Sequence, residues 1–150
     1  MSYVNKITSL GYQIQKTELN TGRFMSAVHV GNLVYTSGSV SRFLDSEIKG
    51  HIGADLTVEQ GYQAARLSTV NALQAVHSLV GLDRVVRIVK VLGMVNVAPG
   101  FDNTPAVIHG CSDLLLEVFG DAGRHARSAV GMVIPFNFAT EVELIIEVMH

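Results

Sequence analysis

The sequence predicts an α+β fold, a β-sheet covered on one face by two helices. Strand-like and helix-like stretches alternate in the order β-β-α-β-α-β-β, and each helical stretch carries one apolar stripe. Only 16% of the 150 residues are charged and 48% are hydrophobic, where soluble domains average roughly 25% charged. Such a surface is expected to be partly covered by another subunit. No linker or low-complexity segment divides residues 1–150, so one domain is expected, long enough to bury a real core.

In order along the chain, Gly11–Thr17 reads as a short first strand. Phe24–Val30 and Leu33–Ser37 read as two strands joined by a tight turn at Gly31-Asn32. Ser41–Asp55 mixes charge, glycine and histidine and reads as a loop. Thr57-Val-Glu-Gln60 fits a capping box, in which a hydroxyl serves a free amide and a glutamine reaches back. Apolar or small residues at 62, 65, 69, 72, 73, 76 and 80 then keep helical spacing up to Gly81, the expected stop. Arg84–Val97 is rich in β-branched residues and reads as a long strand, followed by a loop at Pro99–Asn103.

A second helix is expected with Thr104 as its cap and Pro105 at its first position. Its stripe is Val107, Ile108, Cys111, Leu114, Leu115, Val118 and Phe119, and Gly120 ends it. After a loop over 120–126 come two strand-like runs, one opening at Arg127 and one at Glu141, with turn residues Pro135 and Asn137 between them. Both helices on one face leave the other open, and residues such as Val89, Val91, Val95 and Val142 are expected to need a partner surface.

The charge balance excludes several functions. With 11 basic and 13 acidic residues, there is no electrostatic footprint for nucleic acid or an anionic membrane. Arg87 and Lys90 interrupt the longest apolar stretch well short of a ~18-residue span, so no membrane helix is expected. No targeting segment is visible, and the single Cys111 points to a reducing compartment, hence a cytoplasmic location. The six histidines include no H-x-x-x-H pair, and no glycine-rich loop carries the lysine a phosphate site needs, so neither metal nor nucleotide is expected. Cys111 lies on the apolar stripe, where a buried inert thiol is the ordinary outcome.

The chemistry concentrates in residues 127–150. An arginine presents a planar fork of donors that matches a carboxylate, and a glutamate can hold and deprotonate a water. If the two terminal strands pair as a hairpin, Arg127 and Glu141 reach one cleft, suited to a small acid undergoing proton transfer. Glu143 lies on the same side of its strand as Glu141.

Several motifs resemble one known family. They are Gly31-Asn-Leu-Val-Tyr-Thr-Ser37-Gly38 near the front, Gly81-Leu-Asp83 at the helix end, Ala126-Arg127-Ser128, Pro135, and Glu141-Val-Glu143. In order and spacing they resemble the Rid family, YjgF-like reactive-intermediate imine deaminases, whose members often carry the label L-PSP endoribonuclease. The resemblance implies a chorismate-mutase-like fold with a mixed β-sheet, assembled as a homotrimer with ligand clefts between subunits. It also implies cofactor-free hydrolysis of small 2-imino or 2-enamino acids to 2-keto acids and ammonia.

Carried over residue by residue, Arg127 falls on the arginine that grips the substrate carboxylate and Glu141 on the glutamate that positions water. Ser37 falls on a serine of the front strand. Phe24 stands where the deaminases have a tyrosine, His109 where they have an asparagine, and Ala129 where they have a cysteine. The expected site is therefore Arg127 and Glu141 for the chemistry, with Ser37, Phe24, His109 and Ala129 around the ligand. A non-catalytic binder of small carboxylic metabolites is the alternative. Ribonuclease activity is not expected of a mildly acidic chain without a basic stripe.

Overall fold

The computed structural model describes residues 1–150. The elements are α1 (Tyr3–Ser9), β1 (Ala27–Val30), β2 (Leu33–Thr36), β3 (Ser39–Val40), β4 (Arg42–Phe43), β5 (Ser46–Glu47), α2 (Val58–Val80), β6 (Val85–Asn96), α3 (Thr104–Phe119), β7 (Ala126–Met132) and β8 (Thr140–Val148). The main sheet runs β1-β2-β8-β6-β7, with β3 on the same β8 edge as β2 and β4-β5 forming a separate ribbon. Only β6 and β7 are parallel, so the sheet is mixed.

The long helices follow their sequence signals. Thr57 caps α2 by accepting the Gln60 amide while Gln60 reaches back to the Thr57 amide, which completes the capping box. The whole predicted stripe of α3 is buried, and Gly120 caps its end with φ +60°. The cap of α3 is Asn103, not Thr104, which is the first helical residue. The Thr104 hydroxyl is drawn away to the Ala129 carbonyl (2.9 Å), tying α3 to β7. The helices approach closely at Gly110, where a Cβ would collide with the Tyr62 carbonyl. Two polar contacts lock the pair: Tyr62 donates to Asp113 (2.6 Å), and Arg66 pairs with Glu117 (3.0 Å).

Four expectations need correcting. Residues 11–17 form no strand. Two of their amides are taken by helix side chains instead, Gln15 N–H by Gln74 Oε1 and Thr17 N–H by Ser78 Oγ. The first element is α1, a seven-residue helix capped by Ser2 and anchored through the buried Ile7. The loop over 41–55 contains the two-stranded ribbon. The terminal strands do not pair as a hairpin either. Strand β7 takes one edge of β6 through the α3 crossover, and β8 takes the other. The segment between them crosses the end of β6, where buried Asn96 holds it by donating to Asn137 Oδ1 (3.1 Å) and ties it to the loop after β5 by donating to Gly50 O (2.9 Å).

The faces also differ from expectation. Val91, Val95 and Val142 belong to the 30-residue core beneath the helices, while Val89 sits in a β-bulge and is partly exposed. The open face carries the residues that alternate with them: Lys90, Leu92 and Met94 on β6, and Glu141, Glu143 and Ile145 on β8.

Candidate functional site

Arg127 lies opposite Val91 across the β6–β7 ladder and so shares the helix-covered face. There α3 presents His109 and Ser112, three residues apart and therefore neighbours on one helix side. Arg127 Nη1 donates to His109 Nδ1 (3.0 Å) and to Ser112 Oγ (3.2 Å). A guanidinium can only donate, so His109 accepts at Nδ1 and carries its proton on Nε2.

Ser112 Oγ lies 2.9 Å from His125 Nε2, and His125 Nδ1 lies 2.6 Å from the Gly123 carbonyl. The carbonyl can only accept, so Nδ1 donates. Burial depresses the His125 pKa, opposed by the bond to Gly123 and reinforced by the Arg127 charge. Neutral His125 thus accepts the Ser112 proton at Nε2. The chain of donors runs Arg127 to Ser112 to His125 to Gly123, with every member committed. No carboxylate lies within 4.0 Å of Arg127, and Glu117 is engaged by Arg66. The guanidinium is held by uncharged acceptors alone.

Glu141 occupies a different place. It lies opposite Met94 on β6 and Val40 on β3, on the open face. Burial, and secondarily the neighbouring Glu143, raises its pKa above the ordinary glutamate value. Its carboxylate occupies the space that a side chain at Gly38 would fill. It lines a cleft of about 680 Å³ whose wall includes Phe24, 59% exposed. Ser37 lines an adjoining cavity of about 270 Å³ that shares Phe24 and Gly38 with the cleft. The Ser37 hydroxyl donates to Met25 O (2.6 Å), leaving its lone pairs as acceptors.

The sequence-predicted residues therefore form two groups. Arg127, His109 and Ala129 lie at the β7 edge on the helix side. Phe24, Ser37 and Glu141 lie around β3 and β8, with Glu141 on the opposite sheet face. Within one chain Arg127 and Glu141 do not reach one cleft, because β6 separates their strands and their side chains leave the sheet on opposite sides. Sequence reasoning missed Ser112, His125, Gly38, Arg42 and Lys49. The first two carried a signal in the 109/112 helical pair and the 125/127 strand alternation. Cys111 is fully buried and its thiol is pushed up to about 12, so it offers no thiolate. No three His, Cys, Asp or Glu side chains converge as metal ligands.

Residues 5–148 match the family described as "YjgF/chorismate_mutase-like, putative endoribonuclease". The chain belongs to this family. Protein TCP17 of Trypanosoma cruzi is 37% identical over 142 residues, covering 92% of this chain and 89% of that protein. A crystal structure from Shewanella oneidensis, described as a putative endoribonuclease, superposes with a TM-score of 0.89 at 33% identity, covering 99% of this chain and all of the other. The E. coli TdcF structure with bound serine shares the YjgF-like fold at a TM-score of 0.61 and 23% identity, covering 93% of this chain and 98% of that one.

Proposed function

We propose that this YjgF-like protein hydrolyses small 2-imino or 2-enamino acids to 2-keto acids and ammonia, in clefts between copies of the chain assembled as a homotrimer. The observation that carries the reading is Arg127, a cation oriented by uncharged acceptors with no carboxylate near it. Such a group binds an acid without first breaking an ion pair. The small amino acid bound by TdcF is consistent with a ligand of this size.

Arg127 holds the substrate carboxylate, and His109 Nε2–H offers a further donor beside it. Glu141 comes from the neighbouring copy, since no chain brings its own Arg127 and Glu141 together. Its raised pKa makes it a better base than an ordinary glutamate. It takes a proton from water as the water oxygen bonds to the protonated imine carbon. The resulting carbinolamine receives that proton on nitrogen; Glu141 then takes the hydroxyl proton as the carbonyl forms and the C–N bond breaks, and passes it to the departing ammonia, leaving the keto acid. Ser37 and Phe24 shape the Glu141 side, and Ala129 leaves room on the Arg127 side. No cofactor is required by this balance.

The test is decay of 2-aminoacrylate generated by a coupled dehydratase. The wild type accelerates it, and Arg127→Ala does not. Equal acceleration by both would remove Arg127 from the reading. A second reading, a binder without turnover, is favoured by Phe24, which brings no hydroxyl to the cleft. Saturable binding of 2-keto acids, lost in Arg127→Ala, with no turnover of any imino acid would establish it.

A further inference from the structure

The Glu141 cleft contains two cations that the proposed reaction does not use. Arg42 on β4 and Lys49 after β5 both line it. They flank one aromatic ring: the Arg42 guanidinium carbon lies 5.5 Å from the Phe138 ring centroid, and Lys49 Nζ lies 4.8 Å from it. Phe138 is buried, fixed between the β4-β5 ribbon and the end of β8 by the Lys49–Phe138 backbone bridge. The two cations therefore rest on a rigid support.

Neither charge is neutralised closely. Arg42 has no carboxylate within 4.0 Å, although Glu47 is its register partner across the ribbon. Lys49 meets Glu47 only at 3.9 Å. The guanidinium donors of Arg42 have no acceptor in the protein, so its fork stands open beside the cleft. Glu141, in the same cleft, is already disfavoured as an anion by burial. A cleft that holds Glu141 together with an unpaired arginine and a loosely paired lysine marks a place where a ligand brings further negative charge.

We propose that Arg42 and Lys49 form a second anion subsite, so that the ligand carries another acidic group in addition to its 2-carboxylate. This rests on the reading of Arg127 and Glu141 given above. Arg127 holds the 2-carboxylate from one side of the cleft, Glu141 faces the reacting carbon, and Arg42 with Lys49 holds the far end. The ligand class is a 2-imino acid with a distal carboxylate or phosphate-type group. Short neutral side chains leave the subsite unfilled.

Titration calorimetry on the full chain tests this with stable keto acids. The probes are 2-oxobutanoate, 2-oxoglutarate and 3-phosphonopyruvate. The wild type is expected to bind at least one doubly acidic probe tenfold or more tightly than 2-oxobutanoate. Whichever of the carboxylate and phosphonate binds more tightly names the distal group. Arg42→Ala is expected to reduce that ratio at least fivefold, Arg42→Lys to retain part of it, and Arg42→Ala/Lys49→Ala to abolish it. Arg127→Ala weakens all three probes. A wild-type ratio near one, or a ratio untouched by Arg42→Ala, overturns the subsite while leaving the Arg127 reading intact. If no keto acid binds at all, the Arg127 reading fails and the subsite fails with it.

Discussion

At the scale of single residues, the candidate site is a set of polar groups whose partners are settled in advance. Arg127 is oriented by His109 and Ser112, and Ser112 is in turn oriented by His125. Charge-assisted hydrogen bonds contribute about 1.5–3 kcal/mol each. Arg127→Ala is therefore expected to weaken keto-acid binding by roughly ten- to a hundredfold, read by calorimetry. Gly38→Ala would push the Glu141 carboxylate from its seat. Because the obstruction is the end of a flexible side chain, turnover should fall with little change in melting temperature.

The raised pKa of Glu141 has a sign that can be checked. The folded state holds the Glu141 proton to higher pH than the unfolded chain does, so stability falls as pH rises between the unfolded and folded pKa values. Glu141→Gln removes that penalty. It should melt higher than wild type at neutral pH, and the difference should vanish below the ordinary glutamate pKa. A melting temperature equal to or below wild type at pH 7 would show that the carboxylate is not destabilising there. Arg127 and Glu141 were legible in the sequence because they carry family motifs. Ser112 and His125 were not, since their role depends on α3 lying across β7, which spacing within either element does not reveal.

At the scale of elements, the two long helices and the β1-β2 hairpin were readable, and the placing of β7 and β8 was not. A capping box and a 3.6-residue stripe are local signals, and α2 and α3 follow them closely. Helix α1, at seven residues with one buried side chain, is too short to show a period. Two strands around a turn-rich segment look alike whether they pair with each other or straddle a third, and β7 and β8 straddle β6. The close α2–α3 approach at Gly110 gives a quantitative expectation. Gly110→Ala meets backbone and not a movable side chain, so it should cost about 1–3 kcal/mol. Thr57→Ala, which removes one half of the capping box, should cost about 1 kcal/mol. Urea unfolding curves would rank the two, and a neutral Gly110→Ala would show that the helices have slack at this crossing.

At the scale of the whole molecule, the separation of Arg127 from Glu141 within one chain ties the proposed activity to assembly. The low charge fraction already pointed to a covered surface. The open face adds a cavity of about 460 Å³ lined by Lys90, Leu92, Glu143 and Tyr35 among others. If one copy supplies Arg127 and the next supplies Glu141, two inactive variants can repair each other. Arg127→Ala and Glu141→Ala, unfolded and refolded together, should regain part of the activity that neither has alone. No recovery in co-refolded assemblies would show that Arg127 and Glu141 of different copies do not serve one site. Sequence spacing could not show this division, because it depends on which sheet face each residue occupies.

The sheet order also sets a schedule for making the protein. Strands β2 and β6 share no ladder; each is hydrogen-bonded to β8, the latest strand in chain order. Until β8 emerges during synthesis, the nascent chain holds two unfinished pieces, the β1-β2 hairpin and the β6-α3-β7 unit, each with a bare edge. Pairings this distant in sequence form slowly, and exposed edges invite association with the wrong partner. The final strand is thus the keystone of the sheet, and a chain stopped short of Thr140 should accumulate as aggregate and not as a smaller folded protein.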